Sequence, residues 1–225
     1  MSIKIIKNFL SSEQIKLIDE KISKINWQDG KNTAHGKAKL VKENQQSVEP
    51  TAEMNQINKI IMDQISNNNY IQSIIIPVNV IYPMLNSHSE GHFYGKHIDR
   101  PMRYLPKSQK YVRCDLSMTV FLSDPSEYEG GELVIYDGDS TNKVKLNKGD
   151  CVLYRSGQLH EVAKVTKGNR TCAVTWMQSA IRDEEQREII LDLLKLGNAL
   201  SETNIEIQNL VSKVRNNLTR KWTQF

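Results

Sequence analysis

Ser11 and Ser12 stand ahead of an apolar series, Ile15, Leu17, Ile18, Ile22 and Ile25, whose spacing predicts an amphipathic helix reaching toward Trp27 and the Asp29-Gly30 turn. A short strand is expected before it, where Ile3-Lys4-Ile5-Ile6 mixes apolar and polar positions. Residues 28–48 are rich in Lys, Asn, Gln and Gly, lack a period, and are expected to form a loop. Met54, Ile57, Ile60, Ile61 and Ile65 predict a second helix over about 51–65, stopped at Asn67-Asn68-Asn69. From about residue 74 to 179 the chain changes to short runs of β character at 74–82, 112–122, 132–136, 142–146, 151–155, 159–166 and 170–178. Turn pairs such as Asp124-Pro125, Gly130-Gly131, Asp137-Gly138 and Ser156-Gly157 separate them, which is the pattern of a β-sandwich or barrel. Beyond Arg182, Ile189 to Leu196 and then Ile205 to Leu218 repeat at helical spacing. The expected organisation is one integrated, mainly β domain with flanking helices. A strand and support helices fill 1–72, a β-barrel core 73–182, and a helical appendage 183–225, whose apolar positions suit either a homodimer contact or a cover for the barrel.

Charge and composition remove several functions. The 30 basic and 26 acidic residues are dispersed without a block of like charges, so nucleic-acid binding is not expected. The apolar run 74–81 is far shorter than a bilayer span and is interrupted by Pro77, so no membrane span is expected. The N-terminus lacks the unbroken apolar stretch of a signal peptide, which points to the cytoplasm. Cys114, Cys151 and Cys172 are odd in number and sit among apolar neighbours, as reduced, buried thiols do.

The candidate chemistry rests on few residues. His97-Ile98-Asp99 places an imidazole and a carboxylate two residues apart, on one face of extended backbone. His160 follows 61 residues after Asp99, and a closed barrel is the architecture that brings such distant strands to one lumen. Two histidines and a carboxylate form the facial triad of non-haem Fe(II) oxygenases, with three coordination positions left open. Arg170 heads an otherwise apolar run. A guanidinium pointing into a barrel needs an anion for its planar fork, which makes Arg170 the natural anchor for a dicarboxylate. The residues alone leave room for a cupin-like metal barrel of another activity and for a non-catalytic interaction module. His88 and His92 read as solvent-exposed residues of the loop before the motif, His35 as part of the polar loop, and Tyr94 as either a pocket or a mouth residue.

The stretches 92–99, 113–124, 128–135, 144–154, 159–162, 168–170 and 176–179 together resemble the Fe(II)- and 2-oxoglutarate-dependent dioxygenases, and among them the prolyl-4-hydroxylase-like group called PKHD-type hydroxylases. The resemblance covers roughly residues 75–185. It implies a double-stranded β-helix, or jelly-roll, in which His97, Asp99 and His160 bind Fe(II) and Arg170 pairs with the distal carboxylate of 2-oxoglutarate. Tyr82 matches the family tyrosine that commonly assists that carboxylate, with 84–89 looking like an insertion between it and the metal histidine. The implied activity is hydroxylation by O2 with release of succinate and CO2, on a prolyl or other peptide residue or a small molecule. Ascorbate (vitamin C) is the accessory reductant the resemblance suggests.

Overall fold

The long strand Val165–Ser179 is the spine of the larger sheet, and eight other strands are arranged around it through antiparallel pairs. The computed structural model describes residues 3–33, 36–48, 51–105, 109–200 and 204–224. Among these, the larger sheet runs in the order Lys4–Ile6, Cys151–Arg155, Leu116–Phe121, Val165–Ser179, Met84–Ser89, Gln45–Ser47, Trp27–Asp29. Pro77–Val80 and Tyr128–Gly130 also pair with the long strand. A smaller facing sheet runs Ser140–Val144, Leu133–Asp137, His160–Val162, Phe93–His97, Lys42–Glu43. A separate hairpin joins Met102–Leu105 to Lys110–Arg113.

Period-two alternation sorts the large sheet's side chains. Leu85, Leu116, Met118, Val120, Cys151, Leu153, Ala173 and Met177 belong to one buried cluster with the helices. The residues between them, among them Val152, Tyr154, Phe121 and Cys172, form a second cluster with Leu133, Ile135 and Val144 of the small sheet. The lumen of the jelly-roll lies on that second side.

The helices cover the outer face. Ser12–Ile22 starts with a capping box: the Ser11 hydroxyl accepts from the Gln14 amide and the Gln14 side chain accepts from the Ser11 amide. It buries Ile18 and ends a turn short of the predicted limit. Ala52–Asn67 buries Met54, Ile57, Ile61 and Ile65, the predicted stripe. The expected stop at Asn67-Asn68-Asn69 is instead a junction, because the Asn68 side-chain Oδ1 accepts from the Ile71 amide and caps the helix Asn69–Ile75. The run expected as strand from residue 74 therefore begins two residues inside a helix, and Pro77 marks the change. Glu184–Ala199 and Ile205–Trp222 pair with each other, and the first packs on Asn69–Ile75. No helix among the described residues is long and apolar enough to cross a membrane.

The expectation of a loop over 28–48 is corrected. Trp27–Asp29, Lys42–Glu43 and Gln45–Ser47 are strands, each two or three residues long. They add to both sheets, with Gln46 opposite Asn86 and Lys42 opposite Tyr94. Strands this short carry no readable alternation, and the edges they pair with are remote in sequence.

Gly130 shows where backbone freedom is required. Its φ is 69°, and a β-carbon there would lie 2.2 Å from the Lys164 carbonyl oxygen. Gly138, also left-handed at φ 58°, has nothing within 4 Å of that point. Gly138→Ala should cost about 1 kcal/mol of conformational strain, and Gly130→Ala about 3 kcal/mol or more, because neither backbone can give way. Urea unfolding of the two variants checks this difference.

Candidate functional site

The small sheet places the two candidate ligand histidines side by side, since His97 and His160 are Cα partners across antiparallel strands. Their rings lie 4.3 Å apart at 55°. Each Nδ1 sits 2.8 Å from a backbone carbonyl oxygen two residues earlier, Gly95 for His97 and Gln158 for His160. A proton on each Nδ1 satisfies those carbonyls and leaves both Nε2 lone pairs facing inward, the arrangement that orients metal-bound imidazoles. Asp99 follows the strand end, and its Oδ2 is 3.7 Å from His160 Nε2. One ligand atom from each of the three lies within 4.8 Å of the others, so one ion can be shared. The carboxylate is held in turn: Ser117 Oγ donates to Asp99 Oδ2 at 2.7 Å and lies 2.8 Å from Ser156 Oγ.

Burial pushes the His97 imidazole down to about 4, with the neighbouring His160 acting in the same direction. A histidine that resists protonation is available as a neutral ligand at physiological pH. Tyr94 stacks on His97 with ring centroids 3.6 Å apart and 17° between planes, and burial raises its phenol to about 12. Tyr94 is thus a wall of the pocket, and its hydroxyl stays protonated.

Arg170 and His88 form the opposite wall. They are Cα partners on neighbouring strands of the large sheet and share its lumen face. Arg170 is 2% exposed, its Nε has no partner, and no acid among the described residues pairs with it. Tyr128, with a buried and unpartnered hydroxyl, faces it. His88 is also 2% exposed, and both its ring nitrogens lack partners. Buried donors left without partners are costly, so a pair of them facing one lumen marks a site shaped for an anion.

The structure corrects two expectations here. His88 is no exposed loop residue, because 84–89 is an integral strand rather than an insertion. Tyr82 is 56% exposed and is not among the residues lining the cavity. It lies between Pro77–Val80 and Met84–Ser89, next to the buried Ile81 whose amide donates to the Trp176 carbonyl, so alternation turns it outward. His92 is partly exposed and its Nδ1 accepts from the Ser89 amide, outside the ligand cluster. His35 lies outside the described residues. Cys114, Cys151 and Cys172 are free and buried, as expected.

Burial, and after it the charge of Arg170, hold the His88 imidazole well below its usual range. In the metal-free protein the folded state keeps it neutral while the unfolded chain takes up a proton below about pH 6.5. The unfolded state then binds more protons, so stability is full above that pH and falls as pH drops, by up to about 1.4 kcal/mol per unit for each such group. His97 adds in the same direction down to about 4. The thermal midpoint should fall between pH 7 and 5, and His88→Gln should flatten that slope; an unchanged slope in the variant contradicts the buried neutral state.

The triad, Arg170 and His88 open on one cavity of about 170 Å³, also lined by Lys42, Arg103, Tyr94 and Trp176.

Comparison with known proteins agrees with this architecture. The family model of the 2OG-Fe(II) oxygenase superfamily matches residues 83–178, a span that includes His97, Asp99, His160 and Arg170. A PKHD-type hydroxylase of Saccharophagus degradans is 36% identical over 222 residues, covering 97% of this chain and 98% of the relative. One from Acinetobacter baumannii is 36% identical over 227 residues with the same coverage. Among solved structures, a Pseudomonas putida prolyl-4-hydroxylase matches with TM-score 0.57 at 18% identity, over 78% of this chain and 92% of that one. A Trichoplax adhaerens prolyl hydroxylase in complex with a hypoxia inducible factor peptide fragment matches with TM-score 0.58 at 18% identity, over 83% and 86%. These two share the fold. With more than a third of its residues identical over nearly the whole length of the first two relatives, the chain belongs to the PKHD-type hydroxylases within the 2OG-Fe(II) oxygenase superfamily.

Proposed function

We propose that His97, Asp99 and His160 hold the Fe(II) of this dioxygenase, that Arg170 and His88 hold the distal carboxylate of 2-oxoglutarate, and that the substrate is a peptide residue such as proline. The observation that carries the assignment is the cavity itself, where a two-histidine, one-carboxylate donor set faces a buried guanidinium that has no acid of its own. That donor set is the one non-haem iron(II) oxygenases use, and it leaves coordination positions for co-substrate and O2. When bound, iron and 2-oxoglutarate together supply the oxidising power: O2, 2-oxoglutarate and a C–H bond become an alcohol, succinate and CO2.

The protein's own part is positioning. The Gly95 and Gln158 carbonyls fix the two imidazole planes, and Ser117 fixes the Asp99 carboxylate. Arg170 would hold the distal carboxylate by charge and hydrogen bonding, and the neutral His88 ring would donate beside it without adding charge. Tyr94 and Trp176 wall the space against water. Support for a peptide substrate comes from the prolyl hydroxylases of the same fold, one of them bound to a peptide fragment. A reducing compartment such as the cytoplasm suits three free thiols and a ferrous ion. Incubation with 2-oxoglutarate, Fe(II), O2 and a library of proline-containing peptides tests this reading. Gain of one oxygen atom on a peptide, matched by succinate, supports it. Succinate formation that no peptide stimulates removes the peptide part.

A further inference from the structure

Lys42 and Arg103 line the cavity but have no task in iron or co-substrate binding as assigned above. They arrive from separate additions to the barrel. Lys42 lies on the edge strand Lys42–Glu43, and Arg103 on the hairpin strand Met102–Leu105. Lys42 is 3% exposed; its Nζ donates to Thr33 Oγ1 at 3.2 Å and sits 5.0 Å from the centre of the Tyr94 ring, which stacks on His97. The guanidinium carbon of Arg103 lies 3.3 Å from the centre of the Trp176 ring, and its Nε has no partner. Neither residue forms an ion pair with an acid among the described residues. Each lies within the other's electrostatic reach, the Arg103 charge being one cause that makes a proton on Lys42 less favourable, after burial itself.

The charge balance of the cavity has one sign. Its lining contains Lys42, Arg100, Arg103 and Arg170, against a single carboxylate, Asp99. Iron takes that carboxylate and adds two positive charges, and 2-oxoglutarate returns two negative ones. Lys42 and Arg103 then remain uncompensated, the first buried and the second half-buried, while Arg100 at the rim is exposed to water. A buried lysine and a half-buried arginine held near each other, with Asp99 as the carboxylate that acts on both and that carboxylate assigned to iron, are unfavourable unless an anion comes between them. Lysine supplies a compact charge, and an arginine stacked on an aromatic plane presents a fixed fork, a pairing suited to a carboxylate or a phosphate.

We infer that the molecule hydroxylated by this enzyme carries a carboxylate or a phosphate group, which Lys42 and Arg103 seat on the Tyr94 and Trp176 side of the triad. This rests on the oxygenase reading of the cavity and adds the substrate's chemical class. A peptide substrate then presents an acidic or phosphorylated residue, or its own terminal carboxylate, near the oxidised carbon.

The test uses full-length protein loaded anaerobically with Fe(II) and saturated with 2-oxoglutarate, so that the Arg170 wall is filled. Inorganic phosphate and acetate are titrated separately by calorimetry, which distinguishes the two anion types. The expected result is saturable binding of at least one anion at a single site, weakened about tenfold or more in both Lys42→Met and Arg103→Met. Lys42→Arg should retain it, 2-oxoglutarate affinity should stay near that of the parent, and the ligand-free melting temperature of the methionine variants should not fall. No saturable binding of either anion, or equal binding in both methionine variants, overturns the inference. Failure of 2-oxoglutarate itself to bind in the first step overturns the oxygenase reading, and this inference with it.

Discussion

His160→Ala should lose Fe(II) and with it turnover, by on the order of a thousandfold or more, if the proposed ligand set holds the ion. The ring is 3% exposed and already oriented by its Nδ1 contact to Gln158, so truncation leaves a hole that no neighbour fills with a donor atom. His97→Ala and Asp99→Ala should fail in the same way, because each supplies one ligand atom of the same cluster. Ser117→Ala is the graded control. It removes the 2.7 Å bond to Asp99 Oδ2 but no ligand, so iron affinity should fall only about ten- to a hundredfold. Metal content after dialysis and succinate formation read both effects. Full iron loading of His160→Ala would remove it from the ligand set.

Arg170→Met separates binding from folding. Loss of a charge-assisted contact of about 1.5–3 kcal/mol should weaken 2-oxoglutarate about ten- to a hundredfold while iron affinity holds, since Arg170 stands on the opposite sheet from His97 and His160. The same change should raise the melting temperature of the protein without ligands. The parent buries a guanidinium with an unpartnered Nε and no acid beside it, whereas methionine fills similar volume without a charge to desolvate. Titration of 2-oxoglutarate and a thermal melt on one sample decide both halves. Unchanged co-substrate affinity would return the anchor's identity to the other cavity groups.

Much of the core was legible because its signals are local. Cys151–Arg155 lies at its expected bounds and Leu133–Asp137 is shifted by one residue, whereas the single run expected over 112–122 is two strands, Lys110–Arg113 in the separate hairpin and Leu116–Phe121 in the large sheet. Their turn residues stand next to them in the chain. The stripe Met54, Ile57, Ile61 and Ile65 was readable because a helix buries one face at a fixed period. His97-Ile98-Asp99 was readable because two residues of extended backbone suffice to place both donors.

What escaped depends on partners far away in sequence. The strands within 27–47 exist because the edges Met84–Ser89 and Phe93–His97 accept them. His88 looked like a loop residue in a polar stretch, Asn86-Ser87-His88-Ser89, whose polarity reflects lining of a polar cavity rather than exposure. The available clue was that Met84, Asn86 and His88 alternate with Leu85 and Ser87. Tyr82 was placed by resemblance, and alternation past Ile81 turned it outward. The joint meaning of Lys42 and Arg103 comes from a cavity assembled by strands far apart in the sequence.

The proposed assignment places one ferrous ion and one 2-oxoglutarate together in the cavity between His97, Asp99, His160 and Arg170. Anaerobic addition of Fe(II) and 2-oxoglutarate to the purified protein, followed by visible spectroscopy, tests it without any substrate. The expected result is the weak charge-transfer band of a 2-oxo acid chelated to ferrous iron, absent in His97→Ala and requiring far more 2-oxoglutarate in Arg170→Met. Iron binding without that band, or a band that survives in His97→Ala, would contradict it.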